Sequence, residues 1–181
     1  DAAFEAALKT EYPSLFTDGK RYLSKAAEHS TVVVAGAFNA PGNIASLRGI
    51  EYCRSLVHLD CSYNRITSLD LSANTSLTRL NCGGNLIPSL DLGNNTALES
   101  LRCFRNRLRP LDVMSNRMLE YISCAGNEMQ SLTIGSAPAL TNLYCGDNGL
   151  TSLDLSGAPA MEDLICNMNS LLSLDVSACT G

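Results

Sequence analysis

Six cysteines, Cys61, Cys82, Cys103, Cys124, Cys145 and Cys166, follow one another at 21-residue intervals without a gap. No other feature constrains the fold as much. A 21-residue unit is too short to close a core of its own, so its apolar side chains have to be buried between neighbouring units stacked in register. The chain is therefore expected to be a solenoid.

Five further columns are apolar in every copy. Counted from the cysteine, minus five reads Leu56, Leu77, Leu98, Leu119, Leu140, Met161, and minus two reads Leu59, Leu80, Leu101, Ile122, Leu143, Leu164. Plus five reads Ile66, Ile87, Leu108, Met129, Leu150, Leu171; plus eight is leucine from Leu69 to Leu174; plus ten reads Leu71, Leu92, Val113, Ile134, Leu155, Val176. Each such side chain contributes about 1.5–3 kcal/mol when fully buried, before chain entropy is subtracted. The alternations L-x-C and L-x-L place two short extended segments in each coil, where strands pair in parallel with the coils above and below. Two parallel sheets on opposite faces are expected.

Two polar-looking columns are structural. The column at plus three is Asn64, Asn85, Asn106, Asn127, Asn148 and Asn169. A carboxamide carries donors and acceptors together, so an inward-turned asparagine can satisfy loop backbone of its own coil and of the next, building a ladder. The cysteines fill a tight inward column as small, soft hydrophobes. Stacked strands lie about 4.8 Å apart, and parallel side chains keep their Cβ atoms near that spacing, whereas a disulfide wants about 3.8 Å. Reduced thiols are expected, and no metal site, because no histidine or carboxylate joins the column.

Composition narrows the function. At 181 residues, 45% hydrophobic and 17% charged, the chain has ordinary globular composition. A net charge of −5 argues against a nucleic-acid or anionic-membrane surface, both of which need a basic field. No apolar run approaches the roughly 20 residues that cross a bilayer. The chain opens at Asp1 with no methionine, signal peptide or lipobox cysteine, as a mature or trimmed protein would.

The pattern LxxLxCxxNxLxxLDLSxN resembles the short 21-residue class of bacterial leucine-rich repeats, with the cysteine ladder of some internalin-type surface adhesins, over about residues 50–181. The resemblance implies a right-handed, curved leucine-rich repeat solenoid of six coils, in the β-dominated part of the α/β class. It also implies a bacterial protein, secreted or displayed at the cell surface, with a lipid anchor as one means of attachment, and binding rather than catalysis. The sequence departs from the pattern at Thr133, where the aspartate of LDL is lost, and at Pro88 and Pro110 before the second strand.

Residues 1–50 read as an N-terminal helical cap and entry strand, and 51–181 as the solenoid. Phe4, Leu8, Tyr12 and Leu15 recur at helical spacing, so a helix is expected from near Ala2 to before Pro13. RYLSKAAEH reads as a second short helix, TVVVAG as a first strand and NAPGN as a loop. The segment resembles the caps of surface leucine-rich proteins from gut-dwelling bacteria, whose DGDGxLS-like loop suggests calcium. Here only Asp18 and Gly19 remain in frame, beside Lys20 and Arg21, so no calcium is expected. Cys53 and Cys179 share the column at plus thirteen but stand about 29 Å apart at strand spacing, too far to pair. The sequence stops soon after Val176 without a polar cap, leaving an edge for further residues, a following domain or end-to-end self-association to cover.

A catalytic constellation is not apparent. His29 and His58 read as surface histidines, and no serine elbow, phosphate loop or metal spacing accompanies them, so neither an enzyme nor a cofactor is expected. Asp70, Asp91, Asp112, Asp154 and Asp175 form a solvated stripe on the convex face rather than a calcium bridge. On the first strand, the positions flanking the inward leucine vary freely, as the concave binding faces of solenoids do. Arg79, Arg102, Phe104, Arg105, Tyr121 and Tyr144 are expected to gather there, and arginine and aromatics are what interface centres favour. A protein partner, from a host or another bacterial surface, is the first reading, and a glycan stacked on the tyrosines the alternative.

Overall fold

In the computed structural model of the chain, residues 2–11, 16–17, 20–21, 30–37, 39 and 42–181 are described. The helix α1 (Ala2–Glu11) forms where the periodicity places it. Phe4 and Leu8, one turn apart, are 2% and 3% exposed and join the core of the stacked coils, while Lys9 pairs with Glu5 at 2.8 Å on the outer side. The chain continues in β1 (Phe16–Thr17) and β2 (Lys20–Arg21), an antiparallel pair with Phe16 opposite Arg21. Arg21 is thus in a strand where the sequence suggested the start of a second helix. Pairing with Phe16–Thr17 takes the backbone of Lys20 and Arg21 into a ladder and prevails over a weak helical pattern. The remainder of that proposed helix, with His29, and the Asp18–Gly19 frame lie outside the described residues.

From β3 (Thr31–Val33) onward the architecture is a stack. β4 (His58–Asp60), β5 (Arg79–Asn81), β6 (Ser100–Arg102), β8 (Tyr121–Ser123), β10 (Asn142–Tyr144) and β11 (Asp163–Ile165) follow β3 in one seven-stranded sheet, every neighbour parallel. The register advances by one repeat per strand, so His58, Arg79, Ser100, Tyr121, Asn142 and Asp163 lie side by side. The middle residue of each strand points inward: Val32, Leu59, Leu80, Leu101, Ile122 and Leu143 are all 2% exposed or less.

The opposite face differs from expectation. Among the described residues only β7 (Pro110–Asp112) and β9 (Ser131–Thr133) pair there, in parallel. In Asp70, Asp91, Asp112, Asp154 and Asp175 the carboxylate accepts the backbone N–H two residues on, at 2.9–3.0 Å. Such local bonds give the backbone an alternative to a ladder. Beside the coil where Thr133 has replaced the aspartate, Val113 N–H donates to Thr133 O at 2.9 Å while Asp112 keeps its local bond to Met114 N–H, and the one strand pair forms.

The turn after each ladder cysteine is tied by asparagine. Asn85 Nδ2 donates to Cys61 O and Cys82 O at 3.1 and 2.9 Å, and its Oδ1 accepts Ile66 N–H at 3.0 Å; Asn106, Asn127, Asn148 and Asn169 repeat the arrangement one coil later each time. A second ladder runs at another corner. Asn74, Asn95 and Asn116, at most 1% exposed, each donate to two carbonyls of the preceding coil, Asn95 to Leu71 O and Asn74 O at 3.1 and 2.9 Å. All eight cysteines are free thiols, and Cys61, Cys82, Cys103, Cys124 and Cys145 are fully buried. In the last coil the apolar columns are open, with Leu174 39% and Val176 49% exposed.

Candidate functional site

The parallel register carries two rows of half-buried and exposed side chains along the seven-stranded sheet, on either side of the buried middle residue. One row is His58, Arg79, Ser100, Tyr121, Asn142, Asp163; the other is Asp60, Asn81, Arg102, Ser123, Tyr144, Ile165. Because each strand offers one residue to each row, side chains in opposite rows and on adjacent strands can meet diagonally.

Arg102, Tyr121 and Tyr144 do meet. The Arg102 guanidinium carbon lies 5.0 Å from the centre of the Tyr121 ring, a cation–π contact. Tyr121 in turn meets Tyr144 edge to face, with centroids 5.5 Å apart and planes at 77°. The Tyr144 hydroxyl donates a short hydrogen bond to Asp163 Oδ2, and the phenol's pKa is raised chiefly by that bond to a carboxylate. A continuous chain of contacts therefore crosses β6, β8, β10 and β11.

Arg79 lies one strand before Arg102 in the other row, beside an open recess of about 420 Å³ lined by His58, Asp60, Arg79, Asn81, Ser100 and Arg102. Asp60 is held by neutral donors: its Oδ1 accepts Ser62 N–H and Oγ–H at 3.0 and 2.7 Å, and its Oδ2 accepts Asn81 Nδ2–H at 3.0 Å. Ion pairs among the described residues are Lys9–Glu5 and Arg109–Glu128, so neither Arg79 nor Arg102 is neutralised by Glu99 or Glu120.

Phe104 and Arg105 are placed apart from this group. They follow Cys103 into the turn, where Phe104 packs against Tyr63 two coils earlier, centroids 5.9 Å apart, with its ring over Gly83. Arg105 is exposed and takes a left-handed conformation with φ 50°. Tyr63, Gly84, Arg105, Gly126, Asp147 and Met168 occupy the same position in six coils, and all have positive φ, from 50° to 68°. The reversal there carries the backbone off the sheet and turns the next residue, the ladder asparagine, inward.

Sequence reasoning passed over Asp163, which orients Tyr144, and the Asp60–Asn81 pair, which shapes the recess. Their signal was present, since each stands in one of these two rows. Among the described residues no three histidine, cysteine, aspartate or glutamate side chains gather as a metal site, and no helix is long and apolar enough to cross a membrane.

Comparison with known proteins fits this geometry. Residues 54–94 match the family model of leucine-rich repeats in two copies. Among solved structures, the functional domain of InlJ from Listeria monocytogenes, which includes a cysteine ladder, is similar at 27% identity over 88% of this chain and 44% of that one, with a TM-score of 0.59. A leucine-rich repeat protein of Leptospira interrogans aligns at 22% identity over 71% of this chain and 36% of that one, TM-score 0.68. Internalin C2 of Listeria monocytogenes aligns at 19% identity over 98% and 88%, TM-score 0.64. The chain thus spans less than half the length of the first two. A search of curated proteins gives no match. The stacked 21-residue coils, the cysteine ladder and the repeat match together show the leucine-rich repeat fold, and internalins are among the proteins the chain is similar to.

Proposed function

We propose that the chain is a binding module of a secreted or surface-displayed bacterial protein, and that it holds a protein partner on the exposed face of its seven-stranded sheet. The leucine-rich repeat fold is typical of protein–protein interaction modules. The observation that carries the reading is the contact chain Arg102–Tyr121–Tyr144–Asp163, which spans four strands. It holds two amphipathic rings and an arginine in fixed positions before any partner arrives, which lowers the entropy lost on binding. Glycan binding is less well supported by the same contacts. A sugar stacks on an open ring face, whereas Tyr121 is covered by a guanidinium and meets Tyr144 at 77°.

The test is a contrast between faces. Biotin-tagged wild-type chain, the sheet-face pair Arg102→Ala with Tyr121→Ala, and the opposite-face pair Asp91→Ala with Asp154→Ala are compared for capture of surface proteins, and on a glycan array. Proteins captured by the wild type and the Asp pair but not by the sheet-face pair are expected. Loss of capture in the Asp pair alone, or binding to glycans only, overturns the proposal.

A further inference from the structure

The recess between β4, β5 and β6 has a specific charge arrangement. Arg79 and Arg102 sit on adjacent strands two positions apart along the register, about 8 Å between Cα atoms from strand spacing and rise. Both are exposed, and neither has an ion-pair partner among the described residues. The carboxylate beside them, Asp60, already accepts three hydrogen bonds from Ser62 and Asn81, which spread its charge over neutral donors. Arg102 is fixed over the Tyr121 ring, a contact that uses the face of the guanidinium and leaves its in-plane N–H donors available. A chain with net charge −5 thus sets two arginines, neither in an ion pair, against one carboxylate at one recess of its sheet face.

Resting on the protein-binding reading, we infer that this recess is a carboxylate subsite: it receives a glutamate or aspartate side chain of an acidic segment of the partner, clasped by Arg79 and Arg102. Arginine forks match carboxylate geometry with two parallel N–H···O bonds, and such charge-assisted bonds are about twice as strong as neutral ones. The half-buried Ser100 hydroxyl between the two arginines supplies a further donor. The neighbouring Tyr121 and Tyr144 then cover the apolar part of the same segment.

The experiment titrates the full chain with an acetylated tetraglutamate peptide, its tetraglutamine counterpart and heparin, each at low and at physiological ionic strength. The glutamate peptide is expected to bind at least about tenfold more tightly than the glutamine peptide, and to weaken as salt rises. Arg79→Ala and Arg102→Ala should each cost about tenfold in affinity, while Arg109→Ala, whose guanidinium pairs with Glu128, leaves the titration unchanged. Circular dichroism of each variant establishes that it is folded. Equal binding of the two peptides, no binding of either, silent arginine variants, or binding of heparin in place of the glutamate peptide overturns the inference. Partner capture that depends on the sheet face yet resists competition by the glutamate peptide removes the carboxylate subsite alone. Capture that follows the opposite face removes the interaction face as well.

Discussion

Asn85 Oδ1 accepts the Ile66 N–H of the preceding coil at 3.0 Å, while Asn85 Nδ2 donates to Cys61 O in that coil and to Cys82 O in its own. One buried carboxamide thus closes three backbone groups in two coils. Asn85→Ala leaves the Ile66 N–H unpaired in the core, while Cys61 O keeps its bond from Asn64 and Cys82 O its bond from Asn106, and it is expected to cost about 2 kcal/mol. Asn95→Ala, in the second ladder, should cost about half as much. Leu71 O and Asn74 O each keep a backbone donor, Asn74 N–H and Leu77 N–H, the substitution removes a buried Oδ1 that has no hydrogen-bond partner, and Ala137 and Ala158 occupy the same column two and three coils on. Urea denaturation of both variants checks the ranking; equal losses would mean that the two ladders are energetically alike.

The solenoid was legible because burial imposes one residue type on each column: Leu59, Leu80 and Leu101 face the same interior and are all leucine. The ladder of Asn85 was legible for the same reason. The ladder of Asn95 was not, because its column changes from asparagine to Ala137 and Ala158, so chemistry alone does not mark it. The left-handed column was hidden more completely. Tyr63, Gly84, Arg105, Gly126, Asp147 and Met168 share a backbone conformation and no side-chain property. At the sheet face, the two rows could be read from alternation, whereas the separation of Phe104 from Tyr121 depended on that unseen reversal of the chain at Arg105.

Within the left-handed column, Arg105 holds φ 50° without glycine's freedom. Arg105→Gly relieves that strain and is expected to raise stability by up to about 1 kcal/mol. Tyr63→Gly at φ 54° relieves the same strain but loses the edge-to-face contact with Phe104, so it should destabilise. Thermal denaturation decides: if both variants lose stability equally, side-chain contacts rather than backbone strain govern the column.

Asp163 raises the Tyr144 pKa by accepting its hydroxyl proton in a hydrogen bond. Asp163→Asn removes the negative acceptor, and the phenol is expected to ionise at lower pH than in the wild type. Tyrosinate absorbance followed through alkaline titration, with Tyr144→Phe identifying the signal, measures this. An unchanged curve would show that the Tyr144–Asp163 bond is not formed in solution.

The cysteine column makes the strongest pH prediction. Burial, foremost, pushes the thiols of Cys82 and Cys145 up to about 12, and those of Cys61, Cys103 and Cys124 well above the ordinary value of 9.0. A thiol whose pKa is raised by folding stays neutral in the native state and ionises only on unfolding. Its contribution to stability is therefore complete below about pH 9 and is lost as pH rises from there toward the folded value. Each fully buried thiol should cost about 1.4 kcal/mol per pH unit in that window, so five acting together can unfold the chain near pH 10. Cys103→Ala removes one titrating group at the expense of a small cavity, and its alkaline loss should be shallower than the wild type's by that amount. Urea midpoints measured at pH 7, 9 and 10 test the slope; parallel curves for the two proteins would show that the buried thiols do not drive the transition. At pH 7 a thiol reagent should reach the half-buried Cys166 and Cys179 first, and the ladder thiols from Cys61 to Cys145 only when the coils open.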